Sequence, residues 1–428
     1  MSANFHFVLI LVGRQKSLIF AFLQTMHKSN TYDVVIVGAG IVGLATAWRI
    51  LRGRPGLRLA VLDKEALPAA HQTSHNSGVI HSGIYYKPGG SKALNCRRGH
   101  AMLVAFCEEH GVPYELCGKV IVATREEERP RLREIYQRGL QNGLEGIRIL
   151  SAEEVREHEP HVAALEGIWV PQAGIVDYAR VAEKLMELIQ AAGGVFLGGH
   201  ALRATFAERL IIRLITSAGA LQTRYLITAA GLYADKVVRM TGMEPGMKII
   251  PFRGEYYRLR REKEHLVNNL VYPVPNPAFP FLGVHYTRMM RGGIEAGPNA
   301  VLAFAREGYS RRKVNFSELA ETLTYKGFLR LAAKYYRTGI DELHRSYSKR
   351  AFVRALQHLI PEVGYEDLER SGAGVRAQAI APDGSMINEF VVLEDERIIH
   401  VLNAPSPAAT SSLSIGQDVA DKLFSKMV

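Results

Sequence analysis

Tyr32-Asp-Val-Val-Ile-Val-Gly-Ala-Gly-Ile-Val-Gly43, continued by Leu44-Ala-Thr-Ala-Trp-Arg-Ile-Leu51, is the stretch that decides the fold. Residues 32–37 are an apolar, β-branched run of the kind found in a parallel strand covered on both faces. Leu44 to Leu51 reads as a helix, and Arg58 to Leu62 as a second strand that ends at Asp63. Between the first strand and the helix stand Gly38, Gly40 and Gly43. In such a corner the first glycine permits the turn, the second lets the backbone approach a pyrophosphate, and the third lets helix and strand pack closely. The helix start, with Ile41 and Val42, offers free N–H groups and a positive dipole end to the phosphates. Asp63 is placed to accept from a ribose hydroxyl, with Lys64 beside it. Strand, glycines, helix, strand and acid fall in order, so the context that a bare glycine motif lacks is present.

Outward from this corner the chain alternates between patterns. Residues 64–92 read as loop, Ala93 to His110 as helix, Lys119 to Ala123 as strand, and Glu126 to Asn142 as a charged surface helix. Ser151 with Glu154 forms a capping-box pattern, and Asp177 opens a helix from Tyr178. Tyr225 to Ala229, followed by Gly231, reads as a strand returning to the first unit. Residues 250–360 carry short strands and then helical stretches, as expected of an antiparallel sheet with helices. A second motif of the same spacing, Gly372-Ala-Gly374-Val-Arg-Ala377, has no helix after it and is read as a loop against the cofactor. The expected fold is α/β: a Rossmann-type nucleotide domain of residues 31–95, 150–240 and 365–428, interleaved with an α+β substrate domain of residues 96–149 and 241–364 that carries an antiparallel sheet. That interleaving suits a long buried FAD better than NAD, which usually sits on a complete nucleotide domain.

Bulk properties narrow the partners. The chain of 428 residues is long enough for two cores, and its 47% hydrophobic content is that of a globular protein. The net charge of +11 suits an anionic substrate or membrane face, or a solvated basic surface. No nucleic-acid partner is expected, because Arg97, Arg98, Arg311, Arg312 and Lys313 are scattered outside any recognised nucleic-acid motif. Cys96, Cys107 and Cys117 have no metal-site or disulfide spacing. His71 and His75 stand four apart, but the segment does not read as helical and no acid completes a ligand set, so no metal is expected. Residues 1–30 hold no acidic residue, and Arg14, Lys16 and Ser17 interrupt their apolar patches short of a membrane span. Signal and mitochondrial-type presequence are alternatives; the preferred reading is an upstream extension with Met26 as the natural start.

Nine segments together resemble the L-2-hydroxyglutarate dehydrogenases. They are Asp33 to Gly43, His71 to Tyr86, Gly174 to Tyr178, Ala230 to Asp235, Pro251 to Tyr256, Phe281 to His285, Gly297 to Phe304, Gly374 to Gln378 and Asn403 to Thr410. The wider group is the FAD-dependent D-amino-acid oxidase superfamily, so an amino-acid or amine oxidase of the same fold is the alternative. The resemblance implies FAD, oxidation of the dicarboxylate L-2-hydroxyglutarate to 2-oxoglutarate by hydride transfer to flavin N5, and a quinone-type electron acceptor. It implies a cytoplasmic protein peripheral on the inner membrane, or a mitochondrial one; the extension at residues 1–30 departs from the pattern.

Chemistry of this kind needs a base for the hydroxyl proton and cations for the carboxylates. His81 is the expected base, with His285 as rival base or carboxylate partner. Arg253 and Arg376 are the expected carboxylate clamps, since a guanidinium grips a carboxylate bidentately, although either also suits an ion pair. Tyr86 and Tyr256 add hydroxyl donors or simply pack. Along the FAD the expected residues are His75, Asn76, Ser77, Gly78, Val120, Gly231, Asp235 and Gly374. Ser406, Pro407, Ala408, Ala409 and Thr410, before the last helix, are expected at the flavin's O2 edge, where developing negative charge needs donors.

Overall fold

The computed structural model describes residues 30–275 and 283–427. Residues 1–29 of the N-terminal extension, with Met26, lie outside them, as do Phe281 and Leu282 of one resemblance segment. The corner forms as the sequence dictates. Strand β1 (Thr31–Val37) leads into helix α1 (Ile41–Gly53) and strand β2 (Leu59–Leu62). β1 is flanked in parallel by β2 and by β4 (Gly219–Thr228), and β2 pairs in parallel with β3 (Val195–Leu197). The two-residue period of β1 sends Val34 and Ile36 into one core, with Leu44, Ala47, Val181 and Leu185, and Val35 and Val37 into another, with Ala60, Leu62 and Val237.

The chain then leaves for a second sheet of ten strands, in which β5 (Lys248–Leu259) runs antiparallel to β6 (Leu368–Ile380). Between them in sequence lie four short α-helices: α2 (Phe316–Leu323), α3 (Lys326–Lys334), α4 (Tyr336–Tyr347) and a last one at Lys349–Gln357. The first sheet is completed by β7 (Ile398–Asn403), parallel to β4. The terminal helix α5 (Ser412–Lys426) crosses α1 so closely that a Cβ on Gly416 would meet the Ala45 backbone at 2.7 Å. Among the described residues no helix is long and apolar enough to cross a membrane.

The sheets divide the chain differently from the expected boundaries. Arg148–Ser151 and Glu166–Val170 belong to the second sheet, and so do all of β6 and Met386–Ile387. The 372–377 motif is therefore no loop: it lies within a thirteen-residue strand. Its glycines masked the strand pattern, but pairing with β5 from Lys248–Ile380 to Leu259–Leu368 supplies the backbone hydrogen bonds that local propensity does not. Conversely Ser91–His110 packs against α5, where Arg98 holds Ser414 and Asp418.

Candidate active site

Each glycine of the corner meets a different limit. Gly38 has φ +111°, and a Cβ there would lie 2.3 Å from the Ala229 carbonyl oxygen. A Cβ on Gly43 would lie 1.9 Å from the Gly38 oxygen, which is the close packing of helix on strand. A Cβ on Gly40 would meet only Thr73 Oγ1, at 3.5 Å, because its remaining side opens into a cavity of about 680 Å³. Ile41 and Val42, at the start of α1, line the same cavity. Asp63 also lines it, fixed by the Ala39 N–H on Oδ2 at 2.8 Å and the Glu65 N–H on Oδ1 at 2.9 Å. A backbone cradle, a helix N-terminus and an oriented carboxylate fit the diphosphate and ribose of FAD.

From there the lining passes His75, Asn76 and Ser77, and includes Lys64, Gly231, Gly374, Arg376 and Tyr256. Ser406, Pro407, Ala408 and Ala409, just before α5, border it too. β6 passes the 71–76 loop closely enough that a Cβ on Gly374 would meet the His75 carbonyl oxygen at 2.7 Å. His81 lies in this lining, at the end of a two-residue strand, Val79–Ile80, that pairs with Gly174–Val176. Its backbone N–H donates to Thr410 Oγ1 at 3.1 Å, and the Tyr178 hydroxyl joins Thr410 at 2.8 Å and the Val79 carbonyl at 3.0 Å. Burial, then Lys119, His285, Lys92 and Arg376, holds the His81 imidazole down to about 3. Burial pushes the Tyr256 phenol up to about 12 against the pull of Arg376, so it remains a hydrogen-bond donor.

Several expected residues stand elsewhere. Arg253 does not border the cavity; it is buried behind the sheet, with Nε and Nη2 each 3.1 Å from Glu255 Oε1. Strand alternation explains this: Gly254 and Tyr256 face the cavity, so Arg253 and Glu255 face away. Asp235 is fully buried, its carboxylate forked onto Arg306 at 2.6 and 2.9 Å, and serves as a structural pair. Val120 is core between Trp169 and Val271. His285 is buried behind the lining, its Nδ1–H directed at the Gly283 carbonyl and its ring stacked 4.0 Å from Tyr272. Tyr86 lies beside Lys92, whose Nζ sits 4.7 Å from its ring centroid, outside the lining. Gly43, Gly78 and Thr410 support the wall without bordering it. His71 and His75 face different partners: His75 Nδ1 bonds the His71 carbonyl, while His71 Nε2 is 3.0 Å from Glu65 Oε1, an acid at this histidine that the sequence reading did not expect. Glu307 joins that group, but the Lys64 ammonium already contacts both carboxylates.

Sequence reasoning missed Thr73, whose hydroxyl accepts from the Ile41 N–H at 3.0 Å, and Lys92, a cation in the lining. It also missed Lys119, fully buried with its Nζ 4.7 and 4.9 Å from the ring centroids of Tyr85 and Tyr272. Thr73 stood inside the quoted 71–86 segment; the two lysines carried no local signal.

Residues 33–422 match the family model described as FAD dependent oxidoreductase. The chain is 55% identical over 391 residues to an L-2-hydroxyglutarate dehydrogenase of Indibacter alkaliphilus, covering 91% of this chain and 98% of that one. It is 44% identical to the protein of that name from Escherichia coli K12, over 92% of this chain and 93% of that one. The human protein, named as mitochondrial, is 43% identical over 92% of this chain and 89% of its own. Among solved structures, the L-α-glycerophosphate oxidase of Mycoplasma pneumoniae, with FAD bound, superposes at a TM-score of 0.76 with 22% identity, covering 92% of this chain and 95% of that one. The glycine oxidase of Geobacillus kaustophilus gives 0.71 at 19% identity, over 93% and 95%; these likenesses speak to the fold alone. Fold, cradle and family match define an FAD-dependent oxidoreductase. Within that class the chain belongs to the L-2-hydroxyglutarate dehydrogenase family.

Proposed function

We propose that this chain oxidises L-2-hydroxyglutarate to 2-oxoglutarate and passes the electrons to a quinone-type acceptor, in peripheral contact with a membrane. The names of its relatives support the substrate. The observation that carries the site assignment is a neutral imidazole, His81, sharing with Lys92 and Arg376 the cavity into which Gly40 and Asp63 open. Gly40, Ile41 and Asp63 would hold FAD, which when bound would supply the two-electron, hydride-accepting oxidant.

The protein's part is binding, orientation and proton removal. Arg376 receives the C1 carboxylate, for which its planar fork is suited, and Lys92 receives the second carboxylate. Tyr256 donates its phenol hydrogen to the same anion. His81 takes the hydroxyl proton as the C2–H bond breaks and the C2=O bond forms, so one proton and one hydride leave the substrate. Burial is the larger cause of the depressed His81 imidazole, and a dianion beside Lys92 and Arg376 offsets the smaller, cationic part, which favours the proton on the base when substrate is present. The Tyr178–Thr410–His81 hydrogen bonds position the imidazole's backbone.

The test is product analysis with a dye as acceptor. The holoenzyme is expected to form one 2-oxoglutarate per L-2-hydroxyglutarate consumed. Release of ammonia from amino acids at equal or greater rate would instead assign an amino-acid oxidase of the same fold.

A further inference from the structure

Helices α2 and α4 are built inside out, while α3 between them keeps Leu331 in the core. On α4 the exposed residues Tyr336, Ile340, Leu343 and Tyr347 fall at i, i+4, i+7 and i+11, a single apolar stripe. The buried residues of the same helix are Glu342 and Ser346. Glu342 accepts from the Ala300 N–H at 2.8 Å, and Ser346 Oγ donates to Glu255 at 2.7 Å. A surface helix ordinarily does the reverse, turning its apolar stripe to the core. α2 repeats the inversion: Phe316 and Leu323, one heptad apart, are exposed at 82% and 48%, and its buried residue is Thr322. α3 buries Leu331 and exposes Leu329. On α4 the stripe is held outward by the polar contacts of Glu342 and Ser346 on the opposite face.

Charge says what covers them. Residues 311–350 contain ten Lys and Arg against four Asp and Glu, a surplus of six in a chain whose whole surplus is eleven. Lys326, Arg330, Lys334, Arg337 and Arg350 are exposed among the apolar residues. A second copy of the chain would bring two positive faces together, which charge repulsion opposes. Nucleic acid would complement the charge and leave the apolar stripe unmatched. Exposed apolar and aromatic side chains interleaved with basic ones suit the headgroup boundary of an anionic lipid bilayer.

We propose that α2, α3 and α4 form the face with which this protein lies on anionic membrane. The proposal gives the peripheral contact named above a location; it draws on that reading for purpose and stands on the exposed stripe for its argument. The holoenzyme is mixed with vesicles of phosphatidylcholine, or of phosphatidylcholine and phosphatidylglycerol in equal parts, and flotation is measured. Binding is expected on the anionic vesicles, with loss at high salt and little binding to phosphatidylcholine alone. Ile340→Ser with Leu343→Ser is expected to abolish flotation, and Arg337→Ser to weaken partition about fivefold. In both variants dye reduction by L-2-hydroxyglutarate should equal that of the parent, since neither touches the cavity. Failure of the parent to float, or undiminished flotation of the double variant, would overturn the assignment. So would a dimer of the parent that the double variant dissolves. Failure of dye reduction in a parent that floats would count against the substrate and leave the membrane face standing.

Discussion

His81 stands where three physical demands meet: a proton acceptor, a cavity wall and a cluster of cations. Replacing it by Asn removes the proposed base and keeps a polar side chain of similar reach. The variant should retain its yellow colour and lose roughly 10²–10⁴-fold in kcat. Because the folded imidazole is held below its ordinary value, the acid limb of kcat/KM in the parent is expected below pH 6.5. A limb at or above that value would show a different base. Arg376→Met should raise KM and leave FAD bound, whereas Arg253→Met should act on stability, since its partner Glu255 would be left with one cation fewer in a buried setting. The residue types were legible in the sequence, but which arginine reached the cavity was not. That was decided by which face of β5 turned inward, and the two-residue period gives the alternation without its phase.

The corner of β1, α1 and β2 was legible in full, because turn, close packing and alternation all act within thirty residues. Its glycines make a graded test. Gly43→Ala and Gly38→Ala press a methyl into backbone oxygen and should yield colourless, poorly folded protein. Gly40→Ala meets only a hydroxyl at contact distance, so it should fold and bind FAD more weakly. Thermal melting and flavin absorbance of the three variants check this; equal behaviour would count against the cradle. β6 was not legible, since Gly372 and Gly374 depress strand propensity and its register comes from β5, more than a hundred residues earlier. Asp235 was misread for the same kind of reason. An acid at a strand-to-helix turn looks like a ligand until Arg306, from a distant loop, takes both its oxygens.

At the scale of the whole molecule, buried titratable groups set the response to acid. Burial holds His81 and His285 down at about 3 and His400 at about 4, whereas the unfolded chain titrates near 6.5. Between those values the unfolded state binds protons that the folded state refuses, so stability falls as pH drops from about 6.5 toward 4. Burial tends to raise Glu255 and Glu307, but their cationic and hydroxyl partners bring both down to about 2. Their stabilisation, present above about 4.5, is lost below it. Glu159, raised by burial to about 7, opposes the trend alone among these. Urea melts of the holoenzyme are expected to show lower stability at about pH 5 than at about pH 7; equal stability would contradict the burial of the histidines. The most direct measurement is an anaerobic titration of the yellow holoenzyme followed by absorbance. Full bleaching by stoichiometric L-2-hydroxyglutarate, with none by its D-enantiomer, is the predicted result. A spectrum unchanged by the L-enantiomer, or bleached alike by both, would contradict the account.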